Sequence, residues 1–273
     1  MTTRILLLFV FGWCVEHVHA QHAQEKVSVQ AVERAQGLGI TVHNRNIFPI
    51  TIELELSLKN MTASKRLPLT TVIPPQTEKT IVTLKAIDPG EQSSYRSKYT
   101  YHMGSMDAKH DNSFAYRLPF KRDKSVRIDQ GYGGAFSHRG EAEFALDFHL
   151  EEGSEITAAR GGVVVSLEEK YKEGGTDSYF SDKANYVTIL HSDGTFGEYA
   201  HLRYNGVRVR EGQRVVIGQV IGYSGATGYV TGPHLHFAVK RITEAGKYET
   251  IPVRFATRNG IQQLEEGKTY SGY

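Results

Sequence analysis

The stretch GPHLHF at 232–237 holds the residues best suited to chemistry. His234 and His236 stand two apart in a run that reads as a β-strand, so side-chain alternation puts both imidazoles on one face. Two ring nitrogens on one face, beside a Gly-Pro turn, suit a zinc ion. Alone, an H-x-H pair is equally compatible with histidines that only pack or hydrogen-bond locally. Six of the twelve histidines fall between positions 138 and 236: His138, His149, His191, His201, His234 and His236. Asp147 is the best-placed carboxylate. It stands between Leu146 and Phe148, an awkward setting for a surface aspartate, because carboxylates are seldom buried unpaired.

The elements that must position these groups are short strands. VRIDQ, FALDFHL, GGVVVSLEE, NYVTILH, FGEYAHL, VVIGQVIGY and HLHFAVK are β-rich runs between 116 and 256, joined by turns dense in glycine. Eighteen of the 27 glycines lie within 131–232, whereas seven of the eight prolines lie outside 120–250, so the chain divides by composition. No amphipathic helix of useful length is apparent. Upstream, ITVHN at 40–44, ITIELELSL at 50–58, TIVTLKAI at 80–87 and RSKYTYHM at 96–103 alternate apolar and polar side chains between turn signals. This pattern predicts a small antiparallel sandwich of immunoglobulin-like type. GSMDAKHDNS at 104–113 reads as a polar linker.

Length and composition set the class. The chain has 273 residues, is 40% hydrophobic and 23% charged, and carries a net charge of +2. That is ordinary for a soluble globular protein and gives no nucleic-acid footprint. Residues 1–20 read as a secretory signal peptide: Arg4, the apolar run ILLLFVFGWCV at 5–15, then VHA at 18–20 before Gln21. The run is short for a bilayer span, and no second apolar run is long enough for one. Cys14, the only cysteine, lies inside this segment. The chain after residue 20 therefore has no thiolate, and a zinc site there must use histidine and carboxylate.

Residues 131–240 resemble the lysostaphin-type (LytM) zinc metallopeptidases, the peptidoglycan endopeptidases. ALDFHLEEGSEITAARGGVVV at 145–165, NYVTILHSDGTFGEYAHL at 185–202 and VREGQRVVIGQVIGYSGATGYVTGPHLHF at 209–237 carry the resemblance, in the family's order. The upstream third of the chain carries no comparable signature. Position by position, the resemblance implies three zinc ligands. Asp147 matches the aspartate, and His236 the second histidine of H-x-H. The remaining ligand normally stands four residues before the aspartate, where this chain has Glu143. His138, nine residues before, is the histidine that a longer loop could return to the same place. His138 is therefore expected as the ligand, with Glu143 the alternative. The resemblance assigns the oxyanion and the leaving-group proton to His201, in Tyr199-Ala200-His201-Leu202, and to His234. His149 shares the Asp147 face, but the family has no ligand there. His191 precedes an Asp-Gly turn and is expected to stabilise it.

The expectation is an all-β chain: a signal peptide at 1–20, an immunoglobulin-like sandwich at 21–112, a LytM-type metallopeptidase domain at 116–256 and a C-terminal extension at 257–273. The implied activity is an exported, periplasmic or cell-wall-associated, Zn2+-dependent endopeptidase acting on peptidoglycan peptide stems or cross-links. Two alternatives remain open: a catalytically inactive member that regulates another wall hydrolase through a protein partner, and a wall-binding module with a vestigial site.

Overall fold

The computed structural model describes residues 26–272 and, by backbone alone, the strand Arg4–Leu8. The segment expected as a signal, 1–20, otherwise lies outside the described residues. The chain divides into two compact units, Met1–Asp107 with Glu244–Gly246, and Ala108–Thr243 with Lys247–Tyr273. It is all-β: among the described residues the helical pieces are two three-residue 3-10 turns, Gly140–Ala142 and Ser178–Phe180. No helix there is long and apolar enough to cross a membrane.

The first unit contains two four-stranded antiparallel sheets. One orders Arg4–Leu8, Ser94–Met103, Ile50–Lys59 and Leu69–Ile73; the other orders Val27–Arg34, Gly37–Asn44, Thr77–Ala86 and Met61–Ala63. The alternation read in the sequence does the sorting. Ile50, Ile52 and Leu54 turn inward with Ile73 and Tyr95, while Glu53 and Glu55 face solvent. Ile40, Val42, Val82 and Leu84 come from the other sheet into the same apolar cluster. Burying such a strand face supplies about 1.5–3 kcal/mol per large aliphatic side chain.

In the second unit a long sheet orders Arg214–Val215, Gly162–Glu168, Tyr186–Leu190, Phe196–Ala200, Leu235–Ile242, Ala145–Phe148, Ser125–Gln130 and Thr269–Ser271. Residues 257–273, expected as an extension, are part of this unit: Val126 pairs with Tyr270, whose ring is buried in the core. Residues 108–113 of the expected linker also belong to it, and the Asp111 amide donates to Asp193 Oδ2 at 3.0 Å. A three-stranded sheet, Glu155–Thr157, Val220–Ser224 and Leu202–Val207, packs its apolar residues into the same core.

The two faces of the long sheet have different jobs. Leu146, Phe148, Leu235, Phe237, Val239 and Tyr199 all point into the core. Tyr199 is fully buried, and its hydroxyl accepts from the Ala159 amide at 2.8 Å. The intervening positions, Asp147 and His236 among them, necessarily point the other way. One strand alternation thus buries the core and presents the chemistry.

Candidate metal and catalytic centre

Leu235–Ile242 is the central strand of the site. His236 lies directly opposite Asp147 on one neighbour and Ala200 on the other. His201, the next residue, adopts a left-handed backbone with φ 63°. This conformation is uncommon outside glycine, and histidine is among the residues that tolerate it. His234 precedes the central strand, and its amide donates to Gly225 O at 3.3 Å.

His138 reaches the same place by a loop. Gln130 ends its strand opposite Asp147, and residues 131–139 then leave the sheet before the turn Gly140–Ala142. The fully buried His138 ring donates from Nδ1 to Gly131 O at 2.8 Å. A carbonyl can only accept, so in the neutral ring Nε2 is left with its lone pair. It lies 3.2 Å from Asp147 Oδ1, and His236 Nδ1 lies 2.9 Å from the same oxygen.

Three ligand atoms, one each from His138, Asp147 and His236, lie within 4.8 Å of one another. Neighbouring ligands around a tetrahedral zinc with bonds of about 2.0–2.1 Å are about 3.3 Å apart. The 3.2 and 2.9 Å separations fit that spacing. The His138 ring is also oriented as second-shell bonding orients metal-ligating histidines, with its other nitrogen tied to a backbone carbonyl. Glu143 is exposed, and its carbonyl accepts from the Gly133 amide. The structure brings His138, not Glu143, to Asp147 and His236.

Electrostatics reinforce the cluster. Burial pushes the Asp147 carboxyl upward, but the His138 and His236 rings set against it, with His234 nearby, hold it well below the usual carboxylate range. His138 is opposed by burial yet held above the ordinary imidazole value, by Asp147 first.

His201 and His234 stand beside the cluster. Their ring centroids are 4.7 Å apart, and that of His201 is 5.8 Å from that of His236. His201 Nδ1 donates to Thr227 O at 2.7 Å, and His234 Nδ1 to Gly232 O at 2.9 Å. With Nδ1 donating, the neutral tautomer of each ring has its Nε2 lone pair away from the backbone anchor. Burial first, and then His234 and His236, push His201 down to about 3, which keeps it neutral near pH 7. Thr227 is itself anchored, because its hydroxyl donates to Leu202 O and accepts from the Asn185 amide.

The other two histidines stand outside the cluster, although His149 lines the cleft beside it. His149 is exposed and paired through Nδ1 with Asp129 at 2.7 Å. His191 is buried, donating to Gly161 O at 3.1 Å, while its amide and carbonyl close the 191–195 turn. A cleft of about 490 Å³ runs over the site, with Asp147, His201, His234 and His236 among its lining.

Sequence reasoning missed three residues here. Gln130 donates to Asp147 Oδ2 at 3.2 Å and to Ser137 Oγ at 2.8 Å, and its Oε1 accepts from the amides of Phe136 and Ser137. Phe136 and Tyr229 also line the cleft. The signal available for Gln130 was its place at the end of VRIDQ, directly before the glycine-rich loop.

Residues 141–248 match peptidase family M23. The chain is 36% identical over 109 residues to the glycyl-glycine endopeptidase ALE-1 of Staphylococcus capitis, covering 39% of this chain and 27% of that protein. It is 32% identical over 133 residues to lysostaphin of Staphylococcus simulans, covering 48% of this chain and 23% of that one. It is 42% identical over 124 residues to the peptidoglycan DD-endopeptidase ShyC of Vibrio cholerae serotype O1, covering 44% and 25%. The chain thus spans about a quarter of the length of these curated relatives. The match to peptidase family M23 runs through Asp147, His201, His234 and His236, and so takes in the site apart from the loop residue His138.

Proposed function

We propose that the protein is an exported Zn2+-dependent endopeptidase that hydrolyses peptide cross-links of bacterial peptidoglycan. The observation that carries this reading is the convergence of His138, Asp147 and His236 on one point at the floor of a cleft, with two further histidines beside it. Zinc bound there would supply a Lewis acid and a water acidified to a pKa of about 7. The chain's own residues do the rest. His201 and His234, each anchored through Nδ1 to a backbone carbonyl, present Nε2 to the attacking water and orient it. His201 resists protonation in the resting site. Negative charge developing on the substrate carbonyl favours its imidazolium, so its proton uptake is stabilised mainly in the transition state. The two rings can then return a proton to the leaving amine, completing addition of water across the C–N bond.

The relatives are named for two different specificities, a glycyl-glycine endopeptidase for ALE-1 and a peptidoglycan DD-endopeptidase for ShyC. Both names are of endopeptidases, which supports a peptide substrate and leaves the bond to experiment. We read the first unit as an immunoglobulin-like sandwich, the second unit, from Ala108 on, as the peptidase domain, and residues 1–20 as the export signal. Periplasmic or wall-associated action follows from that signal and that substrate. The test is to incubate the purified protein, with one equivalent of zinc, with cell walls cross-linked through glycine bridges and with walls cross-linked directly. Release of cross-link fragments from one of them is the expected result. Zinc binding without fragments, together with stimulation of a separate wall hydrolase, would overturn the reading in favour of a regulator.

A further inference from the structure

Two aromatic rings stand exposed at the cleft where a folded chain gains nothing by exposing them. Phe136 is 59% exposed and Tyr229 is 37% exposed. Their rings stack, with centroids 5.8 Å apart and planes 11° from parallel. The rings come from different loops. Phe136 belongs to 131–139, the loop that carries His138. Tyr229 belongs to the segment between Gly225 and His234, which also holds Thr227, the anchor of His201. Both rings line the cleft. Resting on the peptidase reading, we propose that Phe136 and Tyr229 form an aromatic clasp that contacts substrate: the peptide chain beside the scissile bond packs its flat amide groups against these ring faces.

The supports of the two rings are built to place them. Phe136 is held through its backbone, whose amide donates to Gln130 Oε1 at 3.0 Å, and Gln130 also bonds Asp147. The position of this ring is thereby tied to the metal-ligand carboxylate. Tyr229 is held by a two-residue parallel ladder in which Gly174 pairs with Gly228, and Gly175 with Tyr229. The Gly228 amide donates to Glu173 O, and the Val230 amide to Gly175 O at 3.1 Å. At Gly174 the ladder leaves no room for a side chain. A Cβ on Gly174 would lie 2.1 Å from Ala226 O and 2.6 Å from Gly228 O. Gly228 itself has φ +84°, where L side chains are strained. Residues 173–175 therefore brace the outer ring, and they make no part of the catalytic cluster.

The lining near the rings suits a peptide of small side chains. Val230, Thr231, Gly232 and Pro233 continue from Tyr229 towards His234 and carry no charge. Such a wall offers contact and backbone polarity, while the rings supply most of the apolar area. Contacts made away from the reacting carbonyl are shared by bound substrate and transition state, so they belong in KM and leave kcat unchanged.

The test is steady-state cleavage of a soluble cross-linked muropeptide by the full zinc-loaded chain and by Phe136→Ala, Tyr229→Ala, Tyr229→Phe and Gly174→Ala. An aromatic contact of the usual strength predicts that either alanine variant raises KM about two- to tenfold, with kcat and zinc content at parent values. Tyr229→Phe should keep the parent KM, because the ring face acts and the hydroxyl does not. Gly174→Ala should raise KM as Tyr229→Ala does, since it moves the same ring. Unchanged KM in both alanine variants, or loss in kcat alone, overturns the clasp while leaving the peptidase reading intact. If the parent cuts no muropeptide, the peptidase reading fails and the clasp falls with it. A further variant can be followed without turnover. In Phe136→Trp carrying also Trp13→Phe, the introduced indole is the sole tryptophan. Its emission should shift when the muropeptide is added to the metal-free protein, and a silent indole at saturating peptide would also overturn the clasp.

Discussion

Replacing Gln130 should weaken zinc binding without touching a ligand. Its Nε2 donates to Asp147 Oδ2 at 3.2 Å, the carboxylate oxygen opposite the one that faces His138 and His236. A hydrogen bond to a charged group is worth about 1.5–3 kcal/mol net. Losing an outer partner of a metal ligand lowers metal affinity about 10- to 100-fold, or about 1.4–2.7 kcal/mol. The two ranges overlap, so Gln130→Met should bind zinc about 10- to 100-fold more weakly. Folding should survive. Gln130 is buried, which the similar volume of methionine respects, and the amides it releases belong to Phe136 and Ser137, both exposed residues. The assay is zinc titration against a chromogenic chelator, with circular dichroism to confirm the fold. Ser137→Ala is the control. It removes the other acceptor of Nε2, leaves the Asp147 bond, and should bind zinc as the parent does. A Gln130→Met dissociation constant within about twofold of the parent would refute the idea that Gln130 tunes Asp147, since the weaker range already requires about tenfold.

Single alanine replacements of His138, Asp147 or His236 should each abolish stoichiometric zinc by elemental analysis, whereas Glu143→Ala should retain it; the reverse pattern for His138 and Glu143 would reassign the first ligand. His201→Ala and His234→Ala should keep zinc and fold but lose about a hundred- to a thousandfold in kcat on cross-linked walls, as loss of one charge-stabilising donor does. Zinc removal by chelation should lower the melting temperature of the parent and leave that of His236→Ala unchanged, because a ligand binding only the folded state stabilises it by mass action. His191 is buried neutral, with burial the main cause pushing it down to about 4, so as pH falls from about 6.5 the unfolded chain takes up its proton first. Its contribution to stability is complete above that pH and is lost towards pH 4, about 3 kcal/mol in all, so His191→Gln should show an acid limb shallower by that amount in urea melts.

The parts of the site that lie on strands could be read from the sequence. Strand alternation is a local property, so HLHFAVK and FALDFHL already fixed which side chains share a face, and the structure pairs His236 with Asp147 accordingly. The alternating runs at 40–58 and 80–103 likewise announced the sheets of the first unit. His138 was harder. Its nine-residue distance from Asp147 has no meaning until the path of loop 131–139 is known, and that path is set by Gln130 reaching across to Phe136 and Ser137. The resemblance offered Glu143 at the usual spacing; the longer loop explains why the residue at that spacing is left at the surface while a histidine farther back returns to the cluster.

What the sequence concealed shares one physical cause. Phe136 and Tyr229 are 93 residues apart in the chain, and nothing local in FSHRG or GYVTG announces a stack. Their meeting depends on a third segment, 173–175, whose pairing with 228–229 is a long-range event in two glycine-rich stretches with no alternation to declare a register. The dense glycines of 222–232 were legible only as turns. The structure shows which backbone approaches: Gly174 and Gly228 lie against each other, and at Gly174 a single methyl group would collide with two carbonyl oxygens. Asp147 and His236 were therefore encoded by residue type and strand parity, whereas the residues that shape the cleft around them are encoded by which glycines meet.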